Sequence, residues 1–513
     1  MVPGRLAQPP RAGGSSCSVS RVRSRWYPLL VERLAHREER VAFGLVALYA
    51  VLFGALSLIR HWSFHSTGLD LGVFDQVVWN TSQGRFMEST LSLDRCVPHS
   101  FFGDHFSPIL IALVPLYWLF PHPETLLVVQ TVALALGALP IYLIARRLLP
   151  RGIERLIWIL AYVVGAPLAF ITLYDFHEVA LAVLPLGLAM YFLVTRRTLP
   201  LILALLVAFT VKEEIALIGI GFGIALAFQR RWLSAAAVAV GSAAVFVVTL
   251  ALIIPAFAGA PYQYIGRYAS LGGSELEIAR TLLLDPLRAL SVLGSGEVGS
   301  KIVFVLSLFG PGLLLALRSR WAIVPSIVPL GYLLLSDYGG EHTLHNQYGA
   351  PIIPLALGAS IVGFAKTSPR WRPRLTVAVV VASMFFCVNF GGWPISRDFQ
   401  AAYLRGDPDR AASGTPMVVR EPRYDALLAA VRAIPANVPI ASTDFWVTQV
   451  GERRFNYHLA TLATCDAQYV ILDYADPSMN RDPQRFSEAR DAFRSAGFDE
   501  IASGEGLSLL RHR

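Results

Sequence analysis

Long blocks free of charge alternate with short polar ones along most of this chain. Apolar stretches bounded by charge, Pro or Gly lie near 41–59, 106–120, 125–145, 156–173, 179–195, 199–211, 215–228, 233–257, 301–317, 321–336, 350–364 and 375–391. They predict twelve candidate membrane segments. Several are short: at 1.5 Å per residue, 106–120 rises roughly 22 Å against a hydrocarbon core of about 30 Å. Ahead of them, residues 1–40 contain Pro-Pro, Gly-Gly and Ser-Ser pairs and read as a disordered arm. The run from Val41 to Ile59 is longer than a signal-peptide core, and further spans follow it.

Beyond residue 391 the apolar blocks stop. Val438–Thr443 and Ala467–Asp473 read as buried strands, Tyr424–Ile434 and Pro483–Ala496 as helices, and Leu507–Leu510 as a last strand. The expected architecture is an all-α polytopic membrane domain over 41–391, with 11 to 12 transmembrane segments, followed by a small soluble α/β domain over 392–513. That domain has no GxGxxG or P-loop, which argues against a nucleotide site.

Composition agrees and adds sidedness. Of 513 residues, 54% are hydrophobic and 16% charged, and mean hydropathy is +0.52, which excludes an ordinary soluble protein. The net charge of +8 is spread over short clusters between apolar segments, so it reads as topology and not as a nucleic-acid surface. Those clusters are Arg146/Arg147/Arg151/Arg155, Arg196/Arg197, Arg230/Arg231, Arg318/Arg320 and Lys366/Arg370/Arg372/Arg374. Each is separated from the next by two segments. Placing them in the cytoplasm with the Arg-rich N-terminus leaves 16 of the 17 acidic residues of 41–391 on the other side. One segment must then fail to cross, and 106–120, with Pro108 and Pro115, is the one expected to be re-entrant or interfacial. Eleven crossings result, with the N-terminus cytoplasmic and the C-terminal domain outside the cytoplasmic membrane. The four cysteines, Cys17, Cys96, Cys387 and Cys465, show no metal-type spacing and no CxxC pair, arguing against a zinc site or a disulfide framework. Cys96 and Cys465 would meet only if both lie outside, and nothing in the sequence fixes their separation.

This map collects unusual polar groups on the outer side. The 60–105 loop holds Asp70, Asp75, His99, Asp104 and His105; a turn holds Asp175, His177 and Glu178; Lys212-Glu213-Glu214 divides two apolar runs; and Asp337–Tyr348 includes Glu341, His342, His345, Asn346 and Tyr348. Ionisable groups at membrane depth are costly and commonly mark a site. Leu71, Phe74, Val77 and Val78 recur at helical spacing and predict a surface helix ended by Gly84. Asp70 would serve equally as its N-cap. Lys212 offers a positive charge to a phosphate, but it would serve equally at the tip of a hairpin or within a broken helix. The His342/His345 pair lacks the spacing of a zinc-protease helix, so hydrogen bonding to a polar ligand is expected there, with no metal. The segment 258–299, with Tyr262, Tyr264, Arg267 and Tyr268, would lid a cavity or lie at the interface without touching ligand.

The stretches GLDLGVFDQVVWN (68–80), GDHFSPILIALVPLYWLFP (103–121), YDFHEVALAVLPLGL (174–188), VKEEIALI (211–218) and HNQYGAPIIPLALG (345–358) resemble the bacterial predicted membrane protein family called domain of unknown function 2079. More distantly the arrangement is similar to the GT-C class of polytopic glycosyltransferases. That resemblance implies Asp70 as the catalytic Asp of the first outer loop and Lys212 as the lysine near the lipid phosphate. The chain departs from the class where Leu71 follows Asp70, since many members carry two adjacent acidic residues there.

The expectation is a membrane glycosyltransferase that passes a sugar from a polyprenyl-phosphate donor to a glycan, lipid or protein acceptor of the cell envelope, without a cofactor. Asp70 would be the base and Asp75 would orient it. Lys212 with Glu213, Glu214, His342, His345, Asn346 and Tyr348 would bind donor phosphate and sugar, and Asp104, His105, Asp175, His177 and Glu178 would line the cavity. A transporter or lipid-linked sugar flippase is the rival, and a non-catalytic scaffold is the third alternative. No convincing repeat relates 41–228 to 233–391, as many transporters would require.

Overall fold

The computed structural model describes residues 23–91, 96–150, 152–312, 315–407, 414–459, 465–479 and 481–513. Leu, Ala, Glu and Arg, all strong helix formers, dominate from Leu29 to Ala42 without a Gly or Pro. One helix accordingly runs from Arg23 to Trp62. The expected disordered arm over 1–40 is corrected from residue 23 onward; residues 1–22 lie outside the described residues.

All twelve apolar stretches contribute helix, but Pro and Gly cut many of them. Five helices are long and apolar enough to cross a membrane: Arg37–Trp62, Pro123–Leu148, Trp232–Ala258, Gln347–Ala365 and Arg372–Phe390. Two bent pairs, Gly152–Val163 with Ala166–Leu173 (42°) and Pro286–Leu293 with Val298–Gly312 (88°), raise this to seven if each is one span. By length and composition, five to seven described helices are long enough to span singly, and four shorter apolar helices, Pro108–Tyr117, Glu178–Val194, Thr198–Phe209 and Ile215–Phe228, accompany them. Apolarity reports burial of any kind, and several short helices, such as Ile215–Phe228, are buried largely by other helices.

The segment 106–120 forms only ten helical residues, Pro108–Tyr117. Its Ile109 N–H donates to Thr210 O (2.9 Å), so it packs beside the turn that carries Lys212. The helices Thr198–Phe209 and Ile215–Phe228 form a hairpin and not one broken rod. Arg196 donates to Gln229 O (3.4 Å) and the Gln229 amide to Leu193 O (3.2 Å), so their far ends meet. Twelve and fourteen residues reach about 18 and 21 Å, short of a core of about 30 Å.

Basic residues gather at one end of the bundle. Arg155 pairs with Glu38 (3.1 Å) and Arg146 with Glu39 (2.8 Å). Arg372 lies 3.7 Å from Glu154, and the Lys366 amine donates to Ser319 O (3.1 Å). The turns 174–178, 210–214, 263–268 and 339–349 converge around a common cavity elsewhere in the molecule.

The C-terminal domain is built on a five-stranded sheet in the order 456–458, 440–442, 469–473, 507–512, 498–504. The first three strands are parallel and the last two antiparallel additions. Two further strands, 456–458 and 498–504, join those the apolar pattern marks. The turn after strand 440–442 and the start of the edge strand 456–458 meet the first loop of the membrane domain. Asp444 Oδ1 accepts from Gly68 N–H (2.6 Å), the Gln76 amide donates to Arg454 O (3.0 Å), and the Thr90 hydroxyl donates to Asn456 O (2.7 Å). Phe64 stacks on Tyr424 with ring centroids 4.0 Å apart. Cys96 and Cys465 form a disulfide across the same junction, correcting the expectation of no disulfide: packing of the two domains fixes the separation that sequence left open.

Candidate active site

The first loop turns at Gly68–Gly72 and continues as the helix Val73–Ser82, which is largely buried and not on the surface as expected. Gly84 follows with φ +80°, the left-handed conformation that ends a helix cheaply. Asp70 is not the cap of this helix, whose preceding position is Gly72. Its carboxylate instead accepts from the Thr67 hydroxyl (2.9 Å) and the Tyr174 hydroxyl (3.0 Å), and lies 3.2 Å from His177 Nε2. Burial pushes the Asp70 carboxyl up, but the hydrogen bond and charge of His177, with Thr67 and Tyr174, outweigh it and hold the group below its usual range. Burial likewise pushes His177 down, and Asp70 more than reverses it. The pair stabilises both charges.

The turn that supplies Tyr174 and His177 is held from beneath. The Gln130 amide donates to Ile171 O (3.0 Å) and Tyr174 O (3.2 Å), while its carbonyl accepts from His177 N–H (2.9 Å). Asp175 points the other way, into a buried pair with Arg60 (2.6 Å), and accepts from Thr67 N–H (2.9 Å). Asp175 therefore fixes the backbone around Asp70 without lining the cavity. Asp75 is also diverted: it is buried under the Tyr117 hydroxyl (2.7 Å). Burial pushes its carboxyl up to about 8 despite that bond. It makes no contact with Asp70, which corrects its expected orienting role; one helical turn separates the two faces.

Asp70, Asp104, His105, His177, Glu178, Lys212, Arg267, Gln347 and Tyr348 line one polar cavity of about 490 Å³, together with Gln263, Tyr264 and the apolar side chains of Leu69, Val73, Phe74, Leu91 and Phe101. Lys212 Nζ sits 3.3 Å from Glu178 and 3.6 Å from Glu214. Glu213 works as a clamp. It accepts from His105 Nδ1 (2.7 Å), Phe106 N–H (3.0 Å) and the Tyr262 hydroxyl (2.8 Å), joining three segments at the Lys212 turn. Asp104 pairs with His99 (3.2 Å) and accepts from the Gln263 amide (3.2 Å).

A second, apolar groove of about 350 Å³ lies behind this wall, lined by Leu217, Phe246, Leu250, Ile278, Leu282 and Tyr332 among others. His105, Lys212, Tyr264, Arg267 and Tyr348 line both spaces. The groove continues past Phe246, Leu250 and Tyr262 into a space of about 740 Å³ that reaches Val247 and Leu276, which are exposed. Val247 lies on the outer side of the long apolar helix Trp232–Ala258, so the groove reaches the surface of the bundle there.

Arg267 belongs at this wall although only its loop, and not its role, stood out in sequence. It donates to Glu341 (2.6 Å) and to the Tyr348 hydroxyl (3.4 Å), and its guanidinium lies 4.5 Å from the Tyr264 ring and 4.8 Å from that of Tyr338. The segment 258–299 thus lines both spaces through Tyr262, Tyr264, Arg267 and Ile278. By contrast, His342, His345 and Asn346 line neither. The Ser300 hydroxyl donates to His342 O (3.1 Å), His345 packs on Phe170 and lies 3.7 Å from Asp398, and Asn346 donates to Gly340 O (3.0 Å). Their expected donor-binding roles are corrected: a loop turns successive side chains apart, and Tyr348 alone of that set reaches the cavities. No described residue of the C-terminal domain lines either space. Among the described residues no group of three or more His, Cys, Asp or Glu converges to hold a metal ion.

A polar cavity with an ionised carboxylate, separated from an apolar groove by two cations, can bring a water-soluble group to the head of a lipid. Residues 60–509 match the family model described as predicted membrane protein (DUF2079), and the chain belongs to that family. No curated protein matches it in sequence. Its fold is similar to that of ArnT from Cupriavidus metallidurans. The structure of ArnT bound to undecaprenyl phosphate superposes with a TM-score of 0.52 at 14% identity, over 90% of this chain and 97% of that one. For ArnT in the apo state the values are 0.54 and 14%, over 92% and 98%.

Proposed function

We propose that this member of the predicted membrane protein (DUF2079) family is a GT-C-like glycosyltransferase that moves a sugar from a polyprenyl-phosphate donor to an acceptor hydroxyl at the outer face of the bacterial cytoplasmic membrane. The observation that carries the reading is the wall shared by the polar cavity and the apolar groove, with Lys212 and Arg267 in it. A prenyl chain in the groove would bring its phosphate to those cations and its sugar into the cavity. The fold shared with ArnT, crystallised with undecaprenyl phosphate, supports the same donor class.

The reaction is a single inverting displacement. The acceptor oxygen forms a bond to the anomeric carbon as the bond from that carbon to the phosphate oxygen breaks. The hydroxyl proton passes to the Asp70 carboxylate, and the bonding electron pair leaves with the lipid phosphate. Lys212 and Arg267 stabilise the charge growing on that phosphate. Asp70, held ionised by His177, is ready to accept a proton at neutral pH. The apolar groove explains why such an enzyme is mostly membrane protein: its donor never has to leave lipid.

Purified protein given labelled polyprenyl-phosphate sugars and an envelope extract as acceptor tests this. Transfer with inversion is expected, falling by roughly a thousandfold or more in Asp70→Asn, the loss typical of removing a general base or more. Undiminished transfer by Asp70→Asn would exclude the assigned base. Movement of the intact lipid-linked sugar across a proteoliposome membrane, with no glycosidic bond formed, would favour a flippase instead.

A further inference from the structure

Two acceptor groups in the polar cavity have no protein partner for part of their hydrogen-bonding capacity. Glu178 is fully buried; its Oε1 faces Lys212 at 3.3 Å and its Oε2 meets no donor. Gln347 is 5% exposed and its side-chain carbonyl also meets no donor. Both side chains line the cavity, and the short helical turns that carry them, 178–182 and 347–349, pack against each other. Buried polar atoms are nearly always satisfied, and one left without a partner costs free energy. Two such acceptors in the wall of one cavity would be satisfied by a ligand that brings donors.

From this we infer that Glu178 and Gln347 read the donor sugar by accepting hydrogen bonds from its hydroxyls, a deepening that rests on the glycosyl-transfer reading. The chemistry selects a neutral, hydroxyl-rich sugar. A uronic acid would add a further carboxylate to Asp70, Asp104 and Glu178, and a deoxy sugar lacking the contacted hydroxyl would leave an acceptor unsatisfied. Lys212 serves both functions, holding Glu178 in place on one side and facing the phosphate on the other, whereas the Gln347 side chain lines the polar cavity and not the apolar groove. Gln347 therefore reports on sugar recognition alone.

The test is a binding measurement on the full-length protein in detergent or nanodiscs, comparing bare polyprenyl phosphate with the same lipid carrying a hexose, its deoxy analogues or a uronic acid. Wild-type protein is expected to bind the hexosyl lipid more tightly than the bare lipid, the uronosyl lipid and at least one deoxy analogue. Gln347→Ala is expected to cut that preference about tenfold, the scale of a lost hydrogen bond in a site built for it, with bare-lipid affinity unchanged. Glu178→Gln, which keeps the shape but loses the charge, should narrow the discrimination against the uronosyl lipid. A wild-type protein that does not distinguish the glycosylated lipids from bare lipid, or a Gln347→Ala variant that keeps the full preference, overturns the inference. Transfer assayed on the same samples separates the two readings: sugar preference without any transfer overturns the transferase while leaving the sugar-reading pair standing.

Discussion

Asp70 and His177 form a charge pair at the mouth of the proposed chemistry, and its consequences follow from the sign of each shift. Asp70 titrates below its usual range, so its stabilisation is present above the ordinary carboxylate value and is lost as pH falls through the lowered one. His177 titrates above its usual range, so its share is complete below about 6.5 and is lost as pH rises through the raised value. Between those limits both members are charged. Replacing His177 by Gln removes the cation, and the acid limb of the kcat/KM profile is expected to move up by about one pH unit. An unmoved limb would mean that some group other than Asp70 sets it. At this scale the sequence was partly legible. Asp70 and Lys212 stand out as ionisable groups beside apolar runs, and both line the cavity. Arg267 and Gln347 do not stand out, because their importance comes from meeting residues far away in the chain. His342 and His345 look like a pair only when written in a line.

The elements show how the loop around Asp70 is held from both sides. Beneath it are Arg60 and Asp175; above it is the short helix Asp444–Val447 of the C-terminal domain. The approach is so close that a Cβ on Gly68 would stand 2.6 Å from Val447 Cβ, and one on Gly72 would stand 2.9 Å from a Val447 methyl. These glycines are required by space, since neither has positive φ. Gly68→Val is expected to cost about 1–3 kcal/mol through overpacking, seen as a lower melting temperature together with slower transfer. A variant with normal transfer would show that the domain contact does not position the loop. Disrupting the Cys96–Cys465 disulfide should act on the same junction from its edge. Cys96→Ser is expected to lower stability by a few kcal/mol and to speed protease cleavage of the C-terminal domain. Equal cleavage rates with and without the disulfide would refute a tethering role. One missed strand was open to reading: Glu505 and Gly506 both have positive φ, 48° and 79°, as a tight hairpin turn demands, and they join 498–504 to 507–512. Strand 456–458 is three residues long and offers no period to detect.

For the whole molecule, charge was the most legible feature. Arg and Lys cluster at one end because they resist burial in lipid, a property each residue carries by itself. Whether a helix crosses depends on its length and its surroundings: in the hairpin 198–228 each arm is short, the second is largely buried by other helices, and the first exposes Leu199, Leu203, Leu206 and Val207. The disulfide adds an independent indication of sidedness, since disulfides persist in oxidising compartments and are rare in the bacterial cytoplasm. It ties the C-terminal domain to the loop of Asp70, so both share one face, which the proposed function puts outside the cytoplasm. This can be measured in intact cells with a membrane-impermeant maleimide. A cysteine at Gln83, exposed beside the helix Val73–Ser82, is expected to react directly, and one at exposed Arg197 only after the cells are permeabilised. The reverse pattern would turn the cavity towards the cytoplasm, where nucleotide-activated sugars are at hand and a lipid donor would no longer be needed to explain the groove.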